Sequence, residues 1–305
     1  PKFAQVGGHP NSIQTTEDGS LVIKPASKFE EEFYTVMAQA RASENLKRLS
    51  KFVPEFYGTL KQEGGDDDGK YLVLANILHQ FTKPNLLDLK LGTVMYDALD
   101  PTYSPEKKTR MEKKAKETTS GECGMCLIGF QVHPQPASLN EAIITPKPYG
   151  KSLRKDDLPE GIRRVFPVLG EPLELYQAAT RTDLGLPSPI LLQILRAMHS
   201  ALTRLKSVFE QVEIRMAGGS LLVVYEGDEE RARESVSWMD TGEDSDGDED
   251  ESDASDSDDE STRVGPPFRL YLIDFAHTHF VPGQGPDKGV LLGMQTFIGL
   301  IEGRI

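Results

Sequence analysis

Read for hydrophobic and polar period, the chain alternates short extended runs with longer helical faces. Leu21-Val22-Ile23-Lys24 predicts a strand stopped by Pro25. Residues 29–49 predict a helix with Phe33, Val36, Met37 and Ala40 on one apolar face. Phe52 to Leu60 reads as a second strand, Gly64 to Gly69 as an exposed turn, and Tyr71 to Ala75 as a buried strand. Asn76-Ile77-Leu78 then suits a hinge between two lobes. Within Pro84 to Gly92, a period of two sends Asp88 and Lys90 to one strand face and Leu87, Leu89 and Leu91 to the other. Residues 106–117 predict a helix. A Thr-Thr-Ser-Gly turn and a strand through Leu127 and Phe130 follow, and then a turn at Tyr149 to Leu153. Further helices are expected near 155–166, 171–181 and 187–213. Ser220 to Tyr225 and Phe268 to Ile273 read as buried strands, and Gly289 to Ile305 as a closing helix.

Composition changes this picture in one place. The net charge is −14, but residues 243–260 alone hold twelve Asp or Glu and no basic residue, so the rest carries only −2. Residues 240–263 are therefore expected to be disordered, because they cannot bury enough apolar surface to offset chain entropy. Ser245, Ser252, Ser255 and Ser257 stand there in acidic context. No apolar run approaches the roughly 18 residues of a membrane span. Cys123 and Cys126 have no second ligand pair for a zinc site and are expected to be core thiols.

Four segments carry candidate chemistry. Lys24 at a strand end, ahead of a helix bearing Glu30 and Glu32, permits the lysine–glutamate pair that positions nucleotide phosphates. Asp88 and Lys90 place an acid and a base side by side on an apolar backing, which by spacing alone also reads as a half-buried strand with a surface salt bridge. The run at 106–117 has six basic residues against three acidic ones. It reads either as a solvated helix held by Glu106–Arg110 and Glu112–Lys116 pairs or as a cationic wall for several phosphates. Asp274, directly after a buried strand, stands either where a carboxylate can hold a metal or as a capping aspartate. The near-neutral body shows no broad basic surface with interleaved aromatics, so nucleic acid is not expected as a partner.

Together these segments resemble the inositol phosphate kinase family, closest to its fungal multikinase branch. The likeness rests on P-x-x-x-D-x-K-x-G at Pro84 to Gly92, Ser220-Leu221-Leu222, and Ile273-Asp274-Phe275-Ala276-His277, in that order. It implies a two-lobed α+β fold similar to protein kinases, with ATP in the cleft between lobe 1–78 and lobe 79–305, and a substrate insertion at about 93–148. The resemblance gives Lys24, paired with Glu30, to the ATP phosphates, and the Ala75 C=O and Ile77 N–H to adenine. It gives Asp274 to magnesium, with Ser220 beside it. Lys90 is matched to the attacking edge of the substrate. Asp88 is matched to a paired aspartate whose role stays open between orienting or deprotonating the hydroxyl and binding ribose. Arg110, Lys113, Lys114 and Lys116, with Lys147 and His277, fall where inositol phosphates are gripped, and Gln131 stands where relatives often carry Lys or Arg.

The implied activity is ATP- and Mg2+-dependent phosphorylation of inositol polyphosphates, by a monomer in the nucleus and the cytoplasm. Two alternatives stay open. One is a hexakisphosphate kinase making pyrophosphates, and the other is a non-catalytic scaffold whose acidic tract binds basic nuclear proteins.

Overall fold

A computed structural model describes residues 13–39, 43–61, 69–101, 103–136, 141–175, 180–240 and 265–305. The expected turn at Gly64 to Gly69 and the acidic tract with its serines lie outside these residues, apart from Gly69 and Asp240, and so does Ala40.

Alternating burial builds the first sheet. Strands β1 (Gln14–Thr15), β2 (Leu21–Pro25), β3 (Phe56–Lys61) and β4 (Lys70–Ala75) pair antiparallel in the order β1-β2-β4-β3. Val22, Leu72 and Leu74 are buried. The expected helix over 29–49 is two helices, α1 (Lys28–Gln39) and α2 (Glu44–Ser50). Ser43 explains the restart, because its extended backbone and its Oγ, which accepts from Leu46 N, make it an N-cap. Helix α1 buries Glu30, Phe33, Tyr34 and Met37.

The second sheet has the order β12-β11-β5-β6-β7. Its strands are β5 (Pro84–Leu91), β6 (Met125–Val132), β7 (Ile143–Thr145), β11 (Ser220–Glu226) and β12 (Phe268–Ile273). The motif strand β5 is central, with Ser220 opposite Lys90 and Leu222 opposite Asp88 on β11. Leu87, Leu89 and Leu91 are fully buried, as the period of two requires. Gly92 ends the strand at φ 99°, a left-handed conformation that a side chain would strain, and its N–H donates to Gly124 O at 2.7 Å.

Helix α3 (Pro105–Glu117) and the short α4 (Thr119–Cys123) link β5 to β6, so the expected turn at 118–121 is mostly helical. Helix α5 (Lys147–Ser152) replaces the turn expected around Tyr149 to Leu153. A Cβ on Gly150 would lie 2.0 Å from Leu127 O, so this glycine serves close packing against β6. The helix expected near 155–166 is α6 (Leu158–Val165), preceded by a single 3-10 turn.

Among the described residues of 171–181 the expected helix is not formed. Two short strands, β8 (Leu173–Glu174) and β9 (Thr180–Arg181), pair there instead. Gly170 at φ 92° and Pro172 break helical propagation, and Gly170 N donates to Thr182 O at 2.8 Å, which ties the arms together. Helices α7 (Ser188–Phe209) and α9 (Lys288–Arg304) form as expected. The sequence reading missed α8 (Glu229–Asp240) and the ribbon of β10 (Ile214–Met216) with β13 (Thr278–Phe280). Cys123 and Cys126 are buried free thiols. No described helix is long and apolar enough to cross a membrane.

Candidate active site

The cleft begins at β2, whose end carries Lys24 toward α1. Lys24 Nζ lies 2.9 Å from Glu30 Oε1 and 3.7 Å from Asp274 Oδ1. Burial disfavours the Lys24 ammonium, but the two carboxylates outweigh that and hold its pKa above the ordinary lysine value. Glu30 is itself buried and also accepts Phe275 N at 3.3 Å, so one N-terminal carboxylate fixes both the lysine and the backbone after Asp274.

Asp274 is the one non-glycine residue with positive φ among the described residues, at 66°. Aspartate tolerates this conformation better than most residues, and here it follows the end of β12. Lys90 Nζ approaches Asp274 Oδ2 at 3.9 Å while donating to Gly218 O at 2.5 Å. Two ammonium groups from different sheets thus flank one carboxylate. Asp88 shares its strand with Lys90 but is nearly enclosed, and burial pushes its carboxyl above the usual range against the pull of Lys90. Asp88 Oδ1 and Ser220 Oγ are buried without a hydrogen bond of normal geometry, although the Ser220 hydroxyl lies near enough to pull the Asp88 carboxyl downward against burial. Such orphaned atoms are costly unless a ligand or water satisfies them.

At the strand end before the hinge, Ala75 N is used by Glu55 O at 2.9 Å, and Asn76 N by Ser20 O at 2.8 Å. Ile77 N–H has no partner among the described residues.

The cationic wall is less tightly joined. Arg110, Lys113, Lys114 and Lys116 are exposed on α3. The expected intrahelical pairs give way to others: Glu112 accepts from Tyr96 OH at 3.0 Å, and Lys113 lies 3.7 Å from Glu117. Lys147 sits at the start of α5 and its charge acts on the Asp88 carboxyl. Lys114 acts on the Cys126 thiol, which lies opposite Lys90 on β6. Arg110, Lys113 and Lys116 have no hydrogen bond or ion pair to the Lys24–Asp274–Lys90 cluster among the described residues. Gln131 is buried and its Nε2 donates to Pro84 O at 2.8 Å, so it has a structural role and no place on this wall. His277 is partly exposed, with Nδ1 buried 3.9 Å from Asp97 Oδ2. Sequence reasoning missed Asp97, His279 and the Gly218 carbonyl, because each acts through a segment far away along the chain.

Among the described residues no three His, Cys, Asp or Glu side chains converge as a metal cage. Asp274 alone suits a magnesium-type ion, which takes one or two carboxylates and completes its shell from phosphates and water.

A helix-pinned lysine meeting a strand-end aspartate and a second lysine is an arrangement that a phosphotransferase can use. The chain belongs to the inositol polyphosphate kinase family, whose sequence profile matches residues 71–302. It is 32% identical over 257 residues to the inositol polyphosphate multikinase of Saccharomyces cerevisiae, covering 76% of this chain and 67% of that protein. It is 30% identical to inositol hexakisphosphate kinase 1 of Rattus norvegicus, of which it spans about half, 51%. The crystal structure of the S. cerevisiae inositol phosphate multikinase Ipk2 in complex with ADP and Mn2+ superposes with a TM-score of 0.68 at 27% identity. That match covers 94% of this chain and 99% of that one. A second inositol phosphate multikinase structure, 20% identical with a TM-score of 0.60, shares the fold.

Proposed function

We propose that this chain is an ATP- and Mg2+-dependent inositol polyphosphate multikinase. It phosphorylates the 6- and 3-hydroxyls of inositol 1,4,5-trisphosphate and carries the tetrakisphosphate on to pentakisphosphate. The observation that carries the reading is the convergence of Lys24 and Lys90 on Asp274, at 3.7 and 3.9 Å. The ADP and Mn2+ held by the similar Ipk2 structure support a nucleotide and a divalent cation in this cleft. Among the described residues the connection from β5 to β6 holds two helices, α3 and α4, which supports a small substrate lid that leaves the ring free to bind in more than one orientation.

Bound ATP with its cation supplies the phosphoryl group and neutralises part of its charge. Lys24, held by Glu30, fixes the phosphates on the nucleotide side. Asp274 would hold the cation. Lys90, anchored by Gly218 O, presents its ammonium where charge moves between the nucleotide and the acceptor. Asp88, kept at a raised pKa by burial, is suited to orient the attacking hydroxyl or accept its proton. Lys147, His277 and the α3 cations hold the substituent phosphates. The catalysis is positioning and charge neutralisation.

The test is product analysis with ATP, Mg2+ and inositol 1,4,5-trisphosphate. Successive tetrakis- and pentakisphosphate peaks support the multikinase. Turnover of hexakisphosphate alone would identify a pyrophosphate-forming kinase instead. No turnover of any inositol phosphate would overturn both readings and leave a non-catalytic protein.

A further inference from the structure

Asp97 is a buried carboxylate without a lysine or arginine partner among the described residues, lying in the loop between β5 and α3. Its Oδ2 meets His279 Nε2 at 2.6 Å, and its Oδ1 accepts Leu99 N at 2.9 Å. The same Oδ2 faces His277 Nδ1 at 3.9 Å. That nitrogen is buried and unpaired, whereas the His277 side chain is 43% exposed, so its exposure belongs to the opposite side of the ring. Tyr103 is hydrogen-bonded to the Asp97 backbone and sets its ring edge-on to His277, with centroids 6.2 Å apart. Lys107 of α3 caps the other interaction of that ring at 3.8 Å from its centroid. On the far side, His279 packs edge-on against Phe29 of α1, centroids 4.4 Å apart.

One carboxylate thus touches three parts of the molecule. These are the loop that launches the cationic helix, the segment that carries His277 three residues beyond Asp274, and, through His279, the helix that holds Glu30. An isolated buried carboxylate is expensive, and the strong hydrogen bond to His279 with the Leu99 amide keeps it in place.

We propose that Asp97, held by His279, is a positioning residue for inositol phosphate binding. Its carboxylate, 3.9 Å from His277 Nδ1, orients the ring by charge so that its exposed edge faces a phosphate, and its backbone hydrogen bond with Tyr103 sets the entry of α3 beside that ring. This rests on reading His277 as an inositol phosphate contact. Misplacing a binding group without removing it weakens substrate binding while leaving the nucleotide side untouched.

The experiment compares KM for inositol 1,4,5-trisphosphate and for ATP in the wild type, Asp97→Asn, His277→Ala and the double variant. Asp97→Asn should raise KM for the inositol phosphate about tenfold and leave KM for ATP within about twofold. In the His277→Ala background the second change should add little, because the two act through one group. Independent multiplication of the two effects, or an equal rise in KM for ATP, would overturn the proposal. His279→Gln keeps a donor for Asp97 and should stay within about threefold of the wild type, whereas His279→Leu should match Asp97→Asn. This pair decides the matter if Asp97→Asn does not fold. Equal KM values for the two His279 variants would refute it. Should the wild type turn over no inositol phosphate, the functional reading fails by itself. The ring 15N resonances of His277 then test the positioning directly, since they should shift in Asp97→Asn, and unchanged resonances would end the idea.

Discussion

At the scale of single residues, the candidate site depends on a few side chains whose placement is unusual. Asp274 has a left-handed backbone, and Asn shares its tolerance for that conformation. Asp274→Asn should therefore keep the fold, with a Tm within about 2 °C of the wild type, while losing the charge that would hold a cation. Turnover should fall by at least about 1,000-fold, measured as initial rates beside thermal unfolding. Wild-type-like rates would remove the metal assignment. Glu30 shows a different dependence. It accepts from Lys24 at 2.9 Å and from Phe275 N at 3.3 Å, so its loss would leave the Phe275 amide unpaired and the Lys24 ammonium with only the longer contact to Asp274 among the described residues. Asp88, raised by burial and with an unpaired oxygen, keeps its chemical role open, but it is poised for a ligand hydroxyl in a way that an ordinary surface strand aspartate is not.

At the scale of elements, β5 and α3 use opposite logic. Strand β5 is central in its sheet, in unbroken register with β11 and with a register shift between Asp88 and Leu89 against β6, so Lys90 is paired on both sides. Helix α3 starts at the Ser104 cap and exposes nearly all of its cations, burying only Ala115. Its charges can be removed with little effect on folding, since exposed substitutions usually stay within about 0.5 kcal/mol. Arg110→Ala and Lys114→Ala should each raise KM for inositol 1,4,5-trisphosphate by roughly fivefold, through lost charge-assisted hydrogen bonds. The effect should shrink as salt screens the wall. Steady-state kinetics at low and high ionic strength check this, and a salt-independent KM would remove α3 from the substrate site.

At the scale of the whole molecule, the two sheets share one core. Phe33 of α1 stacks on Phe275, centroids 3.8 Å apart, and lies 5.7 Å from Phe280. Leu272 N donates to Phe52 O across the same junction. Phe33 is almost fully buried, so Phe33→Ala should cost about 3–5 kcal/mol. It should lower the urea midpoint of both halves in one transition, and two separated transitions would show that the halves unfold independently. The sequence by itself determined the parts whose information is local. The period of two placed Asp88 and Lys90 together, strand ends presented Lys24 and Asp274, and apolar spacing gave α7 and α9. Local pattern also misled: at 171–181 the described residues Leu173–Glu174 and Thr180–Arg181 pair as strands, next to the bond from Gly170 N to Thr182 O. Only the tertiary structure decided that Asp97 meets His279, 182 residues away. It alone also showed that Gln131 turns inward to Pro84 and that Lys24 and Lys90 share one carboxylate. Those contacts join segments with no sequence period between them, so chain closure and core packing select them, and local preference does not.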